Sequence, residues 1–245
     1  MQNFIKDLVM AGVKWELSDN SVGFMSDLAA IKAPTRTRVS SIVPPIPPVS
    51  AVDMETVCAM AMRPTTIDSL CRMISEFNHP LRSGISNVVL PMAALNPNGL
   101  MVITDIPSND DDVSGRIMSG RAGELLDKML NAIGMSRDSV SISPILFWRT
   151  PGGRTPTRME IDLSRPFLNR FIELTEPKII LTLGTLAAAE ICGVDLMHNH
   201  GAETSVALGA RAFSIYHPNY LMLKPSAKAD VWAVLQSVQN LLKNA

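Results

Sequence analysis

The residues able to do chemistry gather in a few polar, turn-rich stretches. The first, Thr104–Gly120 (TDIPSNDDDVSGRIMSG), carries Asp105 at the end of an apolar run, then Asp110, Asp111 and Asp112. A carboxylate at Asp105 suits a general base or a cation ligand. The run of three acids reads more simply as a solvated loop or a helix start, where acids complement the helix dipole. The second stretch, Pro144–Arg158 (PILFWRTPGGRTPTR), sets Arg149, Arg154 and Arg158 around Pro151, Gly152 and Gly153. Guanidinium forks and open backbone amides suit phosphate, and a plain surface loop explains them equally well. The third, His217–Pro225 (HPNYLMLKP), places a histidine directly before Pro218, followed by Asn219, Tyr220, Leu221, Met222 and Lys224. A lone histidine is most often structural, but one held at a strand end is placed to act on a substrate. The apolar side chains after it either wedge into a base stack or pack under the next helix.

These stretches need elements to hold them. Apolar, β-branched runs at Asn87–Leu90, Leu100–Ile106, Val140–Trp148, Lys178–Leu183 and Ala212–Tyr216 predict strands. Helical periodicity alternates with them at 55–77, at Gly123–Gly134 with Gly134 as C-terminal cap, at 185–193 and at 226–243. Near-continuous apolar strands between helices predict a mostly parallel sheet covered on both faces. In such sheets ligands bind outside the carboxyl ends of the strands. The polar stretches, and the segment from Gly184 onward, fall there.

Composition limits the alternatives. The chain has 245 residues, of which 47% are hydrophobic and 18% charged. That excludes a collagen, a coiled coil and wholesale disorder, and is enough for one large core. With 22 basic and 23 acidic residues the net charge is −1, so only a local basic face supports nucleic-acid binding. Cys58, Cys71 and Cys192 are widely spaced, which predicts reduced thiols. No apolar run approaches ~18 residues, and Lys6, Asp7, Lys14 and Glu16 spoil a signal peptide, so a cytoplasmic protein without a membrane span is expected. Phe4, Ile5, Leu8, Val9, Val13 and Leu17 predict an amphipathic helix in residues 1–20. Residues 21–54 include a proline-rich linker, and the folded domain is expected over 55–245.

The ordered segments SGRIMSGRAGELLDKMLNAIG, RTPGGRTPTRMEI, EPKIILTLGTLAAAEICG and HPNYLMLKPSAKADVW resemble the uracil-DNA glycosylase superfamily, in particular its bacterial iron–sulfur type. The resemblance runs from about Phe77 to Leu242. It implies a three-layer α/β/α sandwich around a four-stranded, mainly parallel sheet, acting as a monomer on DNA. The family hydrolyses the N-glycosidic bond of a flipped-out uracil. Thr104-Asp105-Ile106-Pro107-Ser108 stands where the family has Gly-Glu-x-Pro-Gly, so Asp105 would orient water. His217 matches the histidine that supports charge on the base. Pro107, Met118, Ser143 and Pro144 would form the base pocket. Ser108, Arg149, Arg154, Asn219, Tyr220, Leu221, Met222 and Lys224 would touch DNA. Met118 replaces a stacking Phe, and Pro144 replaces an Asn that reads the uracil edge. Such changes imply weakened excision, a shifted lesion preference, or a degenerate glycosylase that keeps some DNA binding. The family's four cluster ligands fall near Glu76, His79, Trp148 and Ser164, none of them cysteine, so no iron–sulfur cluster, metal or other cofactor is expected.

Overall fold

The strands β1 (Leu100–Thr104), β2 (Ser141–Pro144) and β3 (Ile179–Leu183) are buried at every residue. A sheet exposed on one face would alternate buried and exposed positions, so this one is covered on both faces. The computed structural model describes residues 54–82, 87–206 and 209–244. The helix expected at 1–20 and the linker at 21–54 lie outside them, apart from Met54, which opens the first helix.

Successive side chains of β1 point to opposite faces. Leu100 and Val102 join one core with α4 (Gly120–Ala132), α8 (Pro218–Leu223) and α9 (Lys228–Lys243). Met101 and Ile103 join the other core with α1 (Met54–Ala61), α2 (Ile67–Glu76) and α5 (Arg158–Thr175). That second core also takes Ala187 of α6, which runs as Thr185–Ala187 and then widens to a π-helical turn over Ala188–Cys192. The result is the three-layer α/β/α sandwich.

The sheet has five strands, in the order β2-β1-β3-β5-β4, rather than the four expected. The added one is β4 (Glu203–Ser205), a polar, mostly exposed edge strand antiparallel to β5 (Arg211–Ile215). Every other pairing is parallel. A three-residue Glu-Thr-Ser strand has no apolar period to reveal it. The run Asn87–Leu90 forms only an isolated bridge, Val88 to Trp148. The strand expected over Val140–Trp148 stops at Pro144, whose nitrogen has no hydrogen to continue a ladder. The helix expected at 55–77 is two, because Pro64 interrupts it and Thr66 caps α2 with a capping box. Among the described residues no helix is long and apolar enough to cross a membrane. Cys58, Cys71 and Cys192 are all unpaired.

Helix α4 begins against the loop that carries Met118. Arg137 pins that loop, donating to the carbonyl of Ile117 at 3.0 Å and of Met118 at 2.5 Å. Met118 itself takes a left-handed backbone with φ +51°, a strained conformation for a residue with a Cβ. Gly123 makes room for it: a Cβ there would lie 1.8 Å from the Met118 carbonyl oxygen. Alanine normally favours a helix over glycine by ~1 kcal/mol. At Gly123 the sign reverses. Gly123→Ala is expected to lower the stability by about 2–4 kcal/mol in urea unfolding, as overpacking against backbone does.

Candidate active site

The segments that follow β1, β2 and β5 line a cleft of about 290 Å³. Asp105, Pro107, Ser108 and Met118 line it from the β1 side. Arg149 enters from the loop after β2, and His217 and Asn219 from the segment after β5. Residues more than a hundred positions apart in the chain thus meet at one sheet edge.

Asp105 follows β1 and turns towards the start of α6. Its Oδ1 accepts the N–H of Ala187 at 2.7 Å, and the N–H groups of Leu186 and Thr185 bond the same carboxylate. Gly184 makes this possible, since a Cβ there would lie 2.2 Å from Oδ2, and its φ is +105°. Burial outweighs the three amides and pushes the Asp105 carboxyl up from 3.8 to about 6.

His217 is the N-cap of α8. Its Nδ1 accepts the Asn219 backbone N–H at 3.2 Å, and its Nε2 lies 3.2 Å from the Thr104 hydroxyl. A backbone N–H only donates, so Nδ1 carries no proton and Nε2–H donates to Thr104. Burial drives the ring down from 6.5 to about 4, although Asp111 opposes it. At neutral pH the cleft therefore holds a carboxylate and a neutral imidazole with one N–H to offer.

Asp111 shapes the wall between them. It is 3% exposed, inside α3 (Asn109–Ser114). Its carboxylate accepts the amides of Ser108 at 2.9 Å and Ser119 at 2.6 Å, and the Ser119 hydroxyl at 2.8 Å. The acidic run is a helix start, as one reading of the sequence has it, with Asp111 turned inward as its hub.

Residues 94–239 match the family model of the uracil DNA glycosylase superfamily. The chain belongs to that superfamily. It is 30% identical over 146 residues to a type-4 uracil-DNA glycosylase of Thermotoga maritima, covering 58% of this chain and 76% of that one. It is 28% identical over 143 residues to the type-4 enzyme of Pyrobaculum aerophilum, covering 54% and 72%. To that of Archaeoglobus fulgidus it is 29% identical over 142 residues, covering 54% and 70%.

Within this uracil-DNA glycosylase fold, several residues marked out by the sequence sit away from the cleft. Ser143 and Pro144 are buried in β2 and do not line it, and the Ser143 hydroxyl donates to the Pro144 carbonyl at 3.1 Å. Arg154 forms a two-pronged pair with Glu160, at 2.5 and 2.9 Å. Glu160 closes the capping box of α5 with Thr157. Ser108 does line the cleft, but its amide and hydroxyl are engaged by Asp111. The segment after His217 is a helical turn rather than a loop. Leu221 is 1% exposed and packs in the core, Tyr220 and Met222 are half-buried, and Lys224 is exposed. Leu223, which sequence reasoning passed over, is 85% exposed. Its spacing of four from Asn219 puts it on the same helical face, a signal that a loop reading hides.

Three of the four positions matched to cluster ligands do converge, but as a packed plug. His79 stacks on Trp148 with centroids 4.5 Å apart and planes 7° from parallel. His79 Nδ1 accepts the Leu81 N–H at 3.1 Å, while Nε2–H donates to the Glu160 carbonyl at 3.0 Å, with the Ser164 hydroxyl 3.4 Å from the same nitrogen. His79, Trp148 and Ser164 are essentially unexposed. Both imidazole nitrogens are used, the indole cannot ligate, and no thiolate is present, so these residues do not fit an iron–sulfur cluster. Among the described residues no group of three or more His, Cys, Asp or Glu side chains is arranged to hold a metal.

Asp105 and His217 also predict an unusual pH response. The fold keeps a proton on Asp105 that the unfolded chain releases between 3.8 and about 6, so this group lowers stability as pH rises through that window. The fold refuses a proton on His217 that the unfolded chain takes up below 6.5, so this group lowers stability as pH falls from 6.5 to about 4. The two slopes oppose each other. Asp105→Asn removes the first, so relative to wild type its stability is expected to climb by about 1–2 kcal/mol from pH 4 to 6 and then level, read from urea midpoints at each pH.

Proposed function

We propose that this protein is a uracil-DNA glycosylase-type repair hydrolase that works without an iron–sulfur cluster, as a monomer in the cytoplasm. The observation that carries the reading is the pairing, in one cleft of this superfamily's fold, of the Asp105 carboxylate with the neutral Nε2–H of His217. The packed His79–Trp148–Ser164 plug supports the cluster-free part.

In this mechanism a base flips out of the duplex into the cleft, against Met118 and Pro107. Asp105 holds a water and takes a proton from it as the oxygen attacks the sugar C1′. The C1′–N bond breaks and its electron pair leaves with the base. His217 Nε2–H donates to the base carbonyl oxygen where negative charge gathers, stabilising the leaving group without giving up the proton. Leu223 fills the gap left in the stack, as apolar wedges do. Arg149 and Asn219, which line the cleft, and Lys224, exposed at the end of α8, would meet phosphates.

A second reading, a glycosylase of broader base preference, rests on Pro144. The end of β2 offers the cleft no side-chain hydrogen bond, and a lost base-edge contact is worth ~1–3 kcal/mol of discrimination. A panel of deaminated and alkylated bases separates the two readings, and Pro144→Asn with Met118→Phe is expected to shift excision towards uracil. A protein that forms no abasic product on any of the panel is the degenerate glycosylase instead.

Under enzyme excess, a uracil-containing oligonucleotide is expected to yield an alkali-labile abasic site. Asp105→Asn is expected to slow this by at least ~100-fold. Because Asp105 must be ionised, the rate is expected to rise about tenfold per pH unit below about 6 and level above it. No abasic product from folded wild-type protein at neutral pH overturns the uracil reading. Leu223→Ala is expected to slow excision from duplex by ~10-fold while leaving single-stranded DNA little affected, since only the duplex needs a wedge.

A further inference from the structure

We propose that Thr104 is a positioning residue, whose hydroxyl oxygen holds the Nε2–H of His217 in the orientation from which that N–H donates a hydrogen bond to the departing base. The proposal rests on the glycosylase reading of the cleft. Thr104 is the last residue of β1, is 2% exposed and is not among the residues lining the cleft, so it reaches the reactants only through His217.

The geometry holds the ring at opposite edges. Asn219 N–H occupies Nδ1 at 3.2 Å and Thr104 Oγ1 occupies Nε2 at 3.2 Å. One contact alone selects a tautomer, whereas two also fix the ring plane. The second contact joins the carboxyl ends of β1 and β5, two strands that β3 separates. Thr104 is itself rigid: its Cα pairs with Pro144 on one side and Leu183 on the other, and its carbonyl accepts the Ile145 N–H at 2.9 Å. A β-branched side chain on such a backbone has few rotamers.

The choice of acceptor matters as much as its position. A hydroxyl is a neutral acceptor, and a bond to an ionised oxygen is roughly twice as strong. The N–H is therefore held by Thr104 in the free protein and is shared with the base oxygen as charge builds on it, the ring staying in place. It is the bond to the base oxygen that strengthens along the reaction coordinate and favours the transition state; Thr104 contributes by keeping the donor aimed. A carboxylate in place of Thr104 would keep the N–H throughout.

Thr104→Val keeps the shape and removes the acceptor, and Thr104→Ser restores it. In Thr104→Val the single-turnover rate on a uracil oligonucleotide is expected to fall ~10- to 100-fold, with the Kd for that oligonucleotide changed less than about threefold. Thr104→Ser is expected to stay within about threefold of wild type in rate. By nitrogen-edited NMR, the His217 Nε2–H resonance is expected to move upfield and exchange faster with water in Thr104→Val but not in Thr104→Ser. A Thr104→Val rate within twofold of wild type, or a Thr104→Ser variant as slow as Thr104→Val, overturns the proposal. Should wild type excise no base, the spectrum decides: an unmoved His217 resonance in Thr104→Val overturns the positioning role, whereas a moved one upholds it and the failure belongs to the glycosylase reading.

Discussion

The arrangement of the cleft depends on one close approach, that of the Asp105 carboxylate to the backbone at the start of α6, which Gly184 permits by having no side chain. A carboxylate bonded by three amides would ordinarily sit well below the usual carboxylate range. Burial reverses that and leaves the group near 6. Both effects serve the proposed chemistry. The amides fix where the carboxylate is, and burial keeps it basic enough to act on water. The same partial dryness lowers His217 to about 4. One environment thus sets a base ionised at neutral pH beside a donor that stays neutral.

The wall opposite depends on a second buried carboxylate. Asp111 ties Ser108, at the entry to α3, to Ser119, at the entry to α4. Between those two entries lies Met118, in a left-handed conformation that a side chain resists. Strain of that kind persists only where neighbours over-determine it. Here Arg137 holds the carbonyls of Ile117 and Met118 from one side and Asp111 holds Ser119 from the other. The base-facing wall is therefore positioned by polar bonds to its backbone, so a side-chain change at 118 alters the surface offered to the base more than the path of the loop.

Much of this was legible in the sequence, and the exceptions have physical reasons. β1, β3 and β5 showed as apolar runs because both faces of a covered sheet need apolar side chains. β4 did not, because an exposed edge strand needs none. Asp105 and His217 could be singled out because parallel strands bring their carboxyl ends together, and both line the one cleft. Arg154 was read as facing phosphate, yet Thr157 and Glu160 already form a capping-box pattern three residues on, and a carboxylate so placed draws in the nearest guanidinium. Leu221 and Leu223 are chemically alike and two residues apart. Only the helical turn imposed by the His217 ring and Pro218 sends one into the core and the other to solvent. The Thr104–His217 contact was hidden for a similar reason: it exists only once β5 carries His217 to the Thr104 hydroxyl.

The charge balance decides what kind of DNA contact such a cleft can make. Six arginines, at 137, 154, 158, 165, 170 and 211, are engaged in ion pairs with acids of the same domain. These pairs cancel part of the basic charge locally, and with a net charge of −1 the field reaching a duplex from a distance is weak. Affinity for a phosphate backbone falls steeply with salt in proportion to the phosphates neutralised. A protein with few such contacts gains little from sliding along undamaged duplex. On the proposed reading its hold on DNA then comes from short-range events, the insertion of Leu223 and the seating of a base against Met118 and His217. Those events are available only where a base leaves the stack easily, which favours mismatched or damaged positions over paired ones. With the end of β2 presenting no polar group to the cleft, the proposed reaction would draw much of its selectivity from how readily a base flips, and less from how its edge is read once inside.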